Sequence, residues 1–204
     1  MLDFDFIRDN WLFIASGVGA TLGVTIFSFL LAVPIAVVVA RGRRSTFLPI
    51  KVLFSLYVLI IEGVPLYLQA LFVFLALPQL GVVLPGFAGA LMVLTINYSS
   101  HLSEDSYRLF TTQRKTHDKT LFSLIPLFAN VFNNMIRDSA TLQAGHFLRD
   151  AIWRATFLGR AEFRNLEALT IAAITYMILI TGITLGAKVI KLMTAPKTSA
   201  EAAL

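Results

Sequence analysis

The sequence predicts an all-α polytopic membrane protein: five transmembrane helices in a single transmembrane domain over residues 1–204, with the amino terminus outside and the carboxyl terminus cytoplasmic. Three observations predict it. The chain is 57% hydrophobic and only 14% charged, where an ordinary soluble domain is about a quarter charged. Long stretches carry no charge, and arginines and lysines gather at their edges, the distribution that holds a membrane protein in orientation. The stretch Ile125 to Leu142 is apolar until Arg137, Asp138 and Ser139 arrive together with no turn signal before them, which puts ionisable groups at membrane depth. The same composition excludes other classes. No basic run interleaves with aromatics, so nucleic acid has no footing. The absence of cysteine removes disulfides and thiolate metal sites and fits a bacterial-type membrane.

The first helix, about 12–40, follows an acidic, aromatic opening that lacks the basic start and cleavage site of a signal peptide. Trp11 to Ala40 is uncharged, and thirty residues at about 1.5 Å each exceed a hydrocarbon core of about 30 Å, so the helix tilts or overhangs. Arg41, Arg43 and Arg44 close it on the cytoplasmic side. Gly17, Gly19 and Gly23 admit another helix at close range, although general membrane packing explains them equally well.

The second helix, about 49–77, contains Glu62-Gly63-Val64-Pro65. Proline removes a backbone donor and glycine loosens the chain, so a kink or break is expected near the bilayer middle, with Glu62 beside it. A broken helix at that depth suits a transport site, and a simple proline kink is the plainer reading. The third helix, about 87–104, grows polar toward its inner end, through Asn97 to Asp105. Arg108, Arg114, Lys115 and Lys119 then form a second basic loop, again cytoplasmic. With no second histidine or cysteine nearby, His101 reads as a helix-packing residue and no metal is assigned.

The fourth helix, about 121–138, carries Pro126, Asn130, Asn133 and Asn134 before the charge pair, and Pro126 and Asn130, four apart, share a face. Amides cost free energy to desolvate in lipid, so that face is built for something else. Residues 143–165 mix Arg149, Asp150, Arg154, Arg160, Glu162 and Arg164 with Trp153 and Phe157, which suits an interfacial helix. Its positive bias argues against an outer location; the mutual consistency of the other loops places it there. The last helix, about 168–190, runs into Lys188 and Lys191.

These features in this order resemble the membrane subunits of polar amino-acid type I ABC importers, the histidine and glutamine permease family. Tyr57 to Gln69 is similar to that family's second-helix signature, with Gly63, Pro65, Leu66 and Gln69 matching, Glu62 in place of the usual arginine and Val64 in place of threonine. Ser100 to Glu104 is similar to its Ala-Tyr-x-x-Glu, with His101 in the tyrosine slot, Glu104 retained, and Arg108 one place beyond the usual arginine. Pro126, Asn130, Arg137, Asp138 and Ser139 follow the spacing of its fourth-helix Pro-x-x-x-Asn and Lys-Asp-Thr-Ser-Leu motifs. The resemblance covers nearly the whole chain. One departure concerns the cytoplasmic loop. The family carries a Glu-Ala-Ala coupling helix between helices three and four; this chain has only twenty-one residues between Glu104 and Pro126, and no such motif among them.

The resemblance implies a bacterial inner-membrane permease forming half of the pathway for a polar amino acid or related solute. Its implied partners are a second permease subunit, a cytoplasmic ATPase dimer holding ATP and Mg, and an external solute-binding protein. The chain has no phosphate-cradling loop, nucleophile elbow or paired metal ligands, so no enzymatic activity and no cofactor of its own are expected. An amino acid presents both signs of charge, so Arg137 is assigned to a carboxylate, Asp138 and Glu104 to cationic groups, and Gln69 and Ser139 to orienting hydrogen bonds. Glu62, Gly63 and Pro65 form a gate or helix break, and Arg114, Lys115 and Lys119 contact the ATPase. A mutual salt bridge of Arg137 and Asp138 that merely finishes the helix is the competing reading. The alternative function is a degenerate, non-coupling structural or regulatory half of an asymmetric heterodimer.

Overall fold

The computed structural model describes residues 3–112, 125–145 and 148–194. Arg114, Lys115 and Lys119, the expected ATPase-contact loop, lie outside the described residues. Every regular element described is helical: α1 Phe4–Ala15, α2 Val18–Arg43, α3 Leu48–Gly63, α4 Leu66–Leu71, α5 Gly86–Thr112, α6 Ile125–Ser139, α7 Ala151–Ala161 and α8 Asn165–Thr194. A π turn at Phe72–Ala76 and a 3-10 turn at Leu77–Leu80 extend α4, and a 3-10 turn at Ala140–Gly145 extends α6.

The first helix starts earlier than the charge pattern suggests and is jointed. Asp3 caps α1, its carboxylate accepting from the backbone N–H of Asp5 and Phe6 at 3.1 Å, so the acidic opening is itself helical. The helix then resets at Ser16 and Gly17. A Cβ at position 17 would overlap the backbone of Asp150 and Ala151, so only glycine lets the start of α7 approach. Of the other two glycines, Gly19 has open space around it and Gly23 meets only the Phe87 ring, at 3.7 Å.

The core lies where α2 crosses α5. Val24, Ala32 and Ala36 of α2 and Ala90, Val93 and Leu94 of α5 are almost fully buried, and these small residues let the backbones close in. Tyr57 ties α3 to α5, donating to the Ile96 carbonyl at 2.9 Å and meeting Ser99 Oγ at 2.7 Å. Asn133 of α6 donates to Thr184 Oγ1 of α8 at 2.8 Å. A second cluster, Phe6, Ile14, Ala151, Ala155, Ala168 and Ile171, joins α1, α7 and the start of α8 at one end of the bundle. There Asp150 is fully buried, capping α7 through Trp153 N at 2.8 Å and accepting from Tyr176 at 3.1 Å. Burial pushes its carboxyl above the usual aspartate range.

Two helical stretches are long and apolar enough to cross a membrane, Asp5–Arg43 and Asn165–Met193; Leu48–Gly63 with Leu66–Leu80 makes a third if that pair, bent by 99°, counts as one span. By length and composition alone the described residues therefore carry two or three spans of the five expected. Helix α6 is strongly amphipathic, and α5 turns Tyr98 and His101 toward it. Each gives one face to polar groups, and that is where the site forms.

Candidate functional site

Three elements converge on a polar cluster. The first is the break. Helix α3 ends at Gly63, Val64 and Pro65 are extended, and α4 leaves at 99°. Glu62 sits in the last turn before it. Freed carbonyls at such a break need donors where water is scarce. Gln69 supplies them: its amide nitrogen donates to Ile61 O at 2.9 Å and to Val64 O at 2.8 Å.

The second element is α5, which presents Tyr98 and His101 three residues apart and so on one face. Ser100 donates to Glu62 Oε1 at 3.2 Å. His101 Nδ1 stands 3.6 Å from the same oxygen, an ion pair when the imidazole is protonated. The third is α6, whose Asn134, Arg137 and Asp138 follow the same spacing. Tyr98, only 5% exposed, donates its hydroxyl to Asp138 Oδ2 at 2.7 Å, and its ring meets the His101 ring edge-on at 5.9 Å.

Between α5 and α6 these residues line a cavity of about 430 Å³ formed by Tyr98, His101, Val131, Asn134, Arg137 and Asp138. Arg137 is exposed at its edge, and its guanidinium reaches only Asn134 Oδ1, at 3.3 Å. Among the described residues it has no carboxylate partner, and Asp138 does not pair with it. Consecutive residues on a helix point about 100° apart, which lets one be held by Tyr98 while the other stays open. The arrangement offers a donor fork, a carboxylate held in place by a phenol, and an imidazole around one small volume. That set can grip a solute bearing both signs of charge.

The sequence-assigned residues divide around this centre. Arg137 and Asp138 line the cavity, and Glu62 stands behind it through His101. Gln69 spends its amide protons on the break. Ser139 is fully buried and donates back to the Ile136 carbonyl at 2.7 Å, a helix-internal bond. Glu104 forms an ion pair with Arg43 and so ties α5 to the end of α2. Gly63 has open space about it. From the sequence His101 reads as a helix-packing residue, Asn134 only as one of the amides of a non-lipid face, and Tyr98 carries no role. Their signal was the three- and four-residue spacing to His101, Arg137 and Asp138. A larger groove of about 760 Å³ runs along the broken helix, edged by Gln69 and Gln79 but otherwise lined by aliphatic and aromatic residues such as Leu68, Phe72 and Ile96. Its chemistry suits hydrocarbon or another helix.

No protein-family model matches the chain. It is 27% identical over 203 residues to the L-cystine transport system permease protein TcyB of Bacillus subtilis, covering 87% of this chain and 85% of that one. It is 26% identical over 210 residues to the arginine transport system permease protein ArtQ of the same organism, covering 93% of this chain and 96% of that one. Its fold is similar to a chain in a crystal structure of an amino acid ABC transporter with histidines, with a TM-score of 0.82 and 22% identity, covering 95% of this chain and 99% of that chain. The resemblance carried by the helix motifs thus extends to whole permease proteins of amino-acid transport systems.

Proposed function

We infer, from that kinship, that the chain is a transmembrane permease of an amino-acid ABC importer. The observation that carries the solute site is the cavity between α5 and α6, where the Arg137 guanidinium, without a carboxylate partner among the described residues, stands beside a tyrosine-held carboxylate, Asp138. Arg137 takes the solute carboxylate and Asp138 its ammonium. Glu62 and His101 couple the cavity to the hinge at Gly63 and Pro65, so occupancy biases the broken helix. Gln69 and Ser139 act on the solute only through the helices they brace. Glu104 joins the site when the Arg43 clamp opens.

Five spans, with the amino terminus outside, follow if α5 and α6 cross with their polar faces turned to the cavity and to a sister subunit. That sister permease supplies the other half of the pathway. ATP hydrolysis belongs to separate ATPase subunits that carry ATP and Mg, reached through the short loop of Arg114, Lys115 and Lys119, and an external protein delivers the solute. The location is a bacterial inner membrane. The alternative of a non-coupling half is not favoured: both relatives are permease proteins, matched over 85% and 96% of their length.

The test is uptake of labelled amino acids by proteoliposomes holding the purified assembly, with every co-eluting chain identified. Uptake that needs ATP and is lost in Arg137→Gln with assembly intact supports the reading. Unchanged uptake in that variant removes Arg137 from the pathway.

A further inference from the structure

A second polar surface lies on α7. The buried side of this helix is Ala151, Ala155 and Gly159, packed on α1 and α8. On its other side Arg149, Trp153, Thr156, Phe157 and Arg160 recur at intervals of three and four and line a depression of about 450 Å³. The Trp153 and Phe157 rings stack at 5.1 Å with 10° between their planes, and the Arg149 guanidinium lies 5.5 Å from the Trp153 ring centre. Phe157 is 54% exposed. Neither Arg149 nor Arg160 has a carboxylate partner among the described residues. Arg154, also without one, lies over the Phe13 ring at 5.1 Å and donates to Ser16 Oγ at 2.9 Å.

We propose that this face of α7 binds the phosphate of an anionic phospholipid, with Arg149 and Arg160 bracketing the headgroup and the stacked Trp153 and Phe157 rings resting against the upper acyl chains. The charge calls for an anion, and a planar guanidinium matches phosphate oxygens two at a time. The rings decide which anion. An acidic protein surface would neutralise the arginines but offer no hydrocarbon to a half-exposed aromatic pair. Trp11, Leu12 and Phe13 are also exposed on α1, which meets α7 through Arg154 over the Phe13 ring, and aromatics edged by cations are how a helix lies in a bilayer interface. Lipid phosphate would also explain why a positively biased segment stands where the other loops place the outside. The inference concerns a surface apart from the α5–α6 cavity and does not depend on which solute is carried.

The experiment reads lipid retention by native mass spectrometry of the intact transporter, released from nanodiscs of phosphatidylcholine with or without phosphatidylglycerol. The wild type retains phosphatidylglycerol in preference to phosphatidylcholine, and that preference falls about fivefold for each guanidinium lost in Arg149→Gln and Arg160→Gln. The double Arg→Lys variant, which preserves charge and packing, keeps most of it. Excess inorganic phosphate does not displace the lipid. Equal retention of phosphatidylglycerol by wild type and the double Gln variant overturns the proposal. So does free phosphate displacing the lipid, or a double Gln variant that loses only the capture of an external solute-binding protein. If the double Gln variant fails to assemble, Trp153→Ala carries the same reading, since the proposal requires it to lose lipid retention as well.

Discussion

The Tyr98 hydroxyl donates to Asp138 Oδ2 at 2.7 Å, joining the buried face of α5 to the last turn of α6. The bond holds the carboxylate of a residue that lines the cavity. Removing the donor in Tyr98→Phe gives up a hydrogen bond to a charged group, worth about 1.5–3 kcal/mol. The expected result is an uptake KM for amino acids raised at least about tenfold, with the assembly eluting unchanged on size exclusion.

Arg137 is exposed and braced only by Asn134. Arg137→Gln therefore costs little stability but removes the fork that holds a carboxylate, an interaction of about 1.5–3 kcal/mol. Uptake of an amino acid should weaken by about 10- to 100-fold, while a decarboxylated analogue, already a poor ligand, changes little. Thermal unfolding of the variant should overlay the wild type.

Gln69 behaves as a brace. In Gln69→Leu the Ile61 and Val64 carbonyls at the break lose their donor in a water-poor setting, a loss of about 1–3 kcal/mol. The expected outcome is a lower melting temperature of the detergent-solubilised chain even without solute. A residue acting only on solute would leave it unchanged.

Gly17 and Gly19 provide an internal control. Gly17→Ala drives a methyl group into the Asp150 and Ala151 backbone, whereas Gly19→Ala meets open space. The first should loosen α7, seen as faster proteolysis between residues 145 and 165 and a lower melting temperature. The second should behave as wild type or slightly better.

Asp150 predicts a pH dependence. Burial raises its carboxyl pKa in the folded protein, so the folded state binds this proton more tightly than the unfolded chain. Its contribution is full below the ordinary aspartate value and is lost as pH rises through the folded value. Asp150→Asn keeps a capping oxygen and cannot ionise, so melting curves taken across the acidic range should be flatter in the variant than in the wild type.

Much of the fold was legible because the signals are local. Uncharged runs mark α2 and α8, and Glu62-Gly63-Val64-Pro65 marks the place where α3 stops. The joint at Gly17 was not legible, because its cause is the approach of Asp150, more than a hundred positions away. The charge pair on α6 was readable as an anomaly in an apolar helix. Its partners were not: Tyr98 and His101 belong to another helix, and Arg43, which engages Glu104, reads from sequence only as an orientation signal.

The sequence by itself determined that this chain is helical, rich in membrane-compatible surface, broken at Pro65 and charged near the end of α6, since composition and spacing act within a turn or two of the residue concerned. The tertiary structure alone decided the use of each polar group. Gln69 turns to the break, Asp138 to Tyr98, Glu104 to Arg43, and Arg137 is left open beside a held carboxylate. The reason is physical: a buried polar atom takes the nearest partner that satisfies it, and which partner is nearest is settled only when the helices pack.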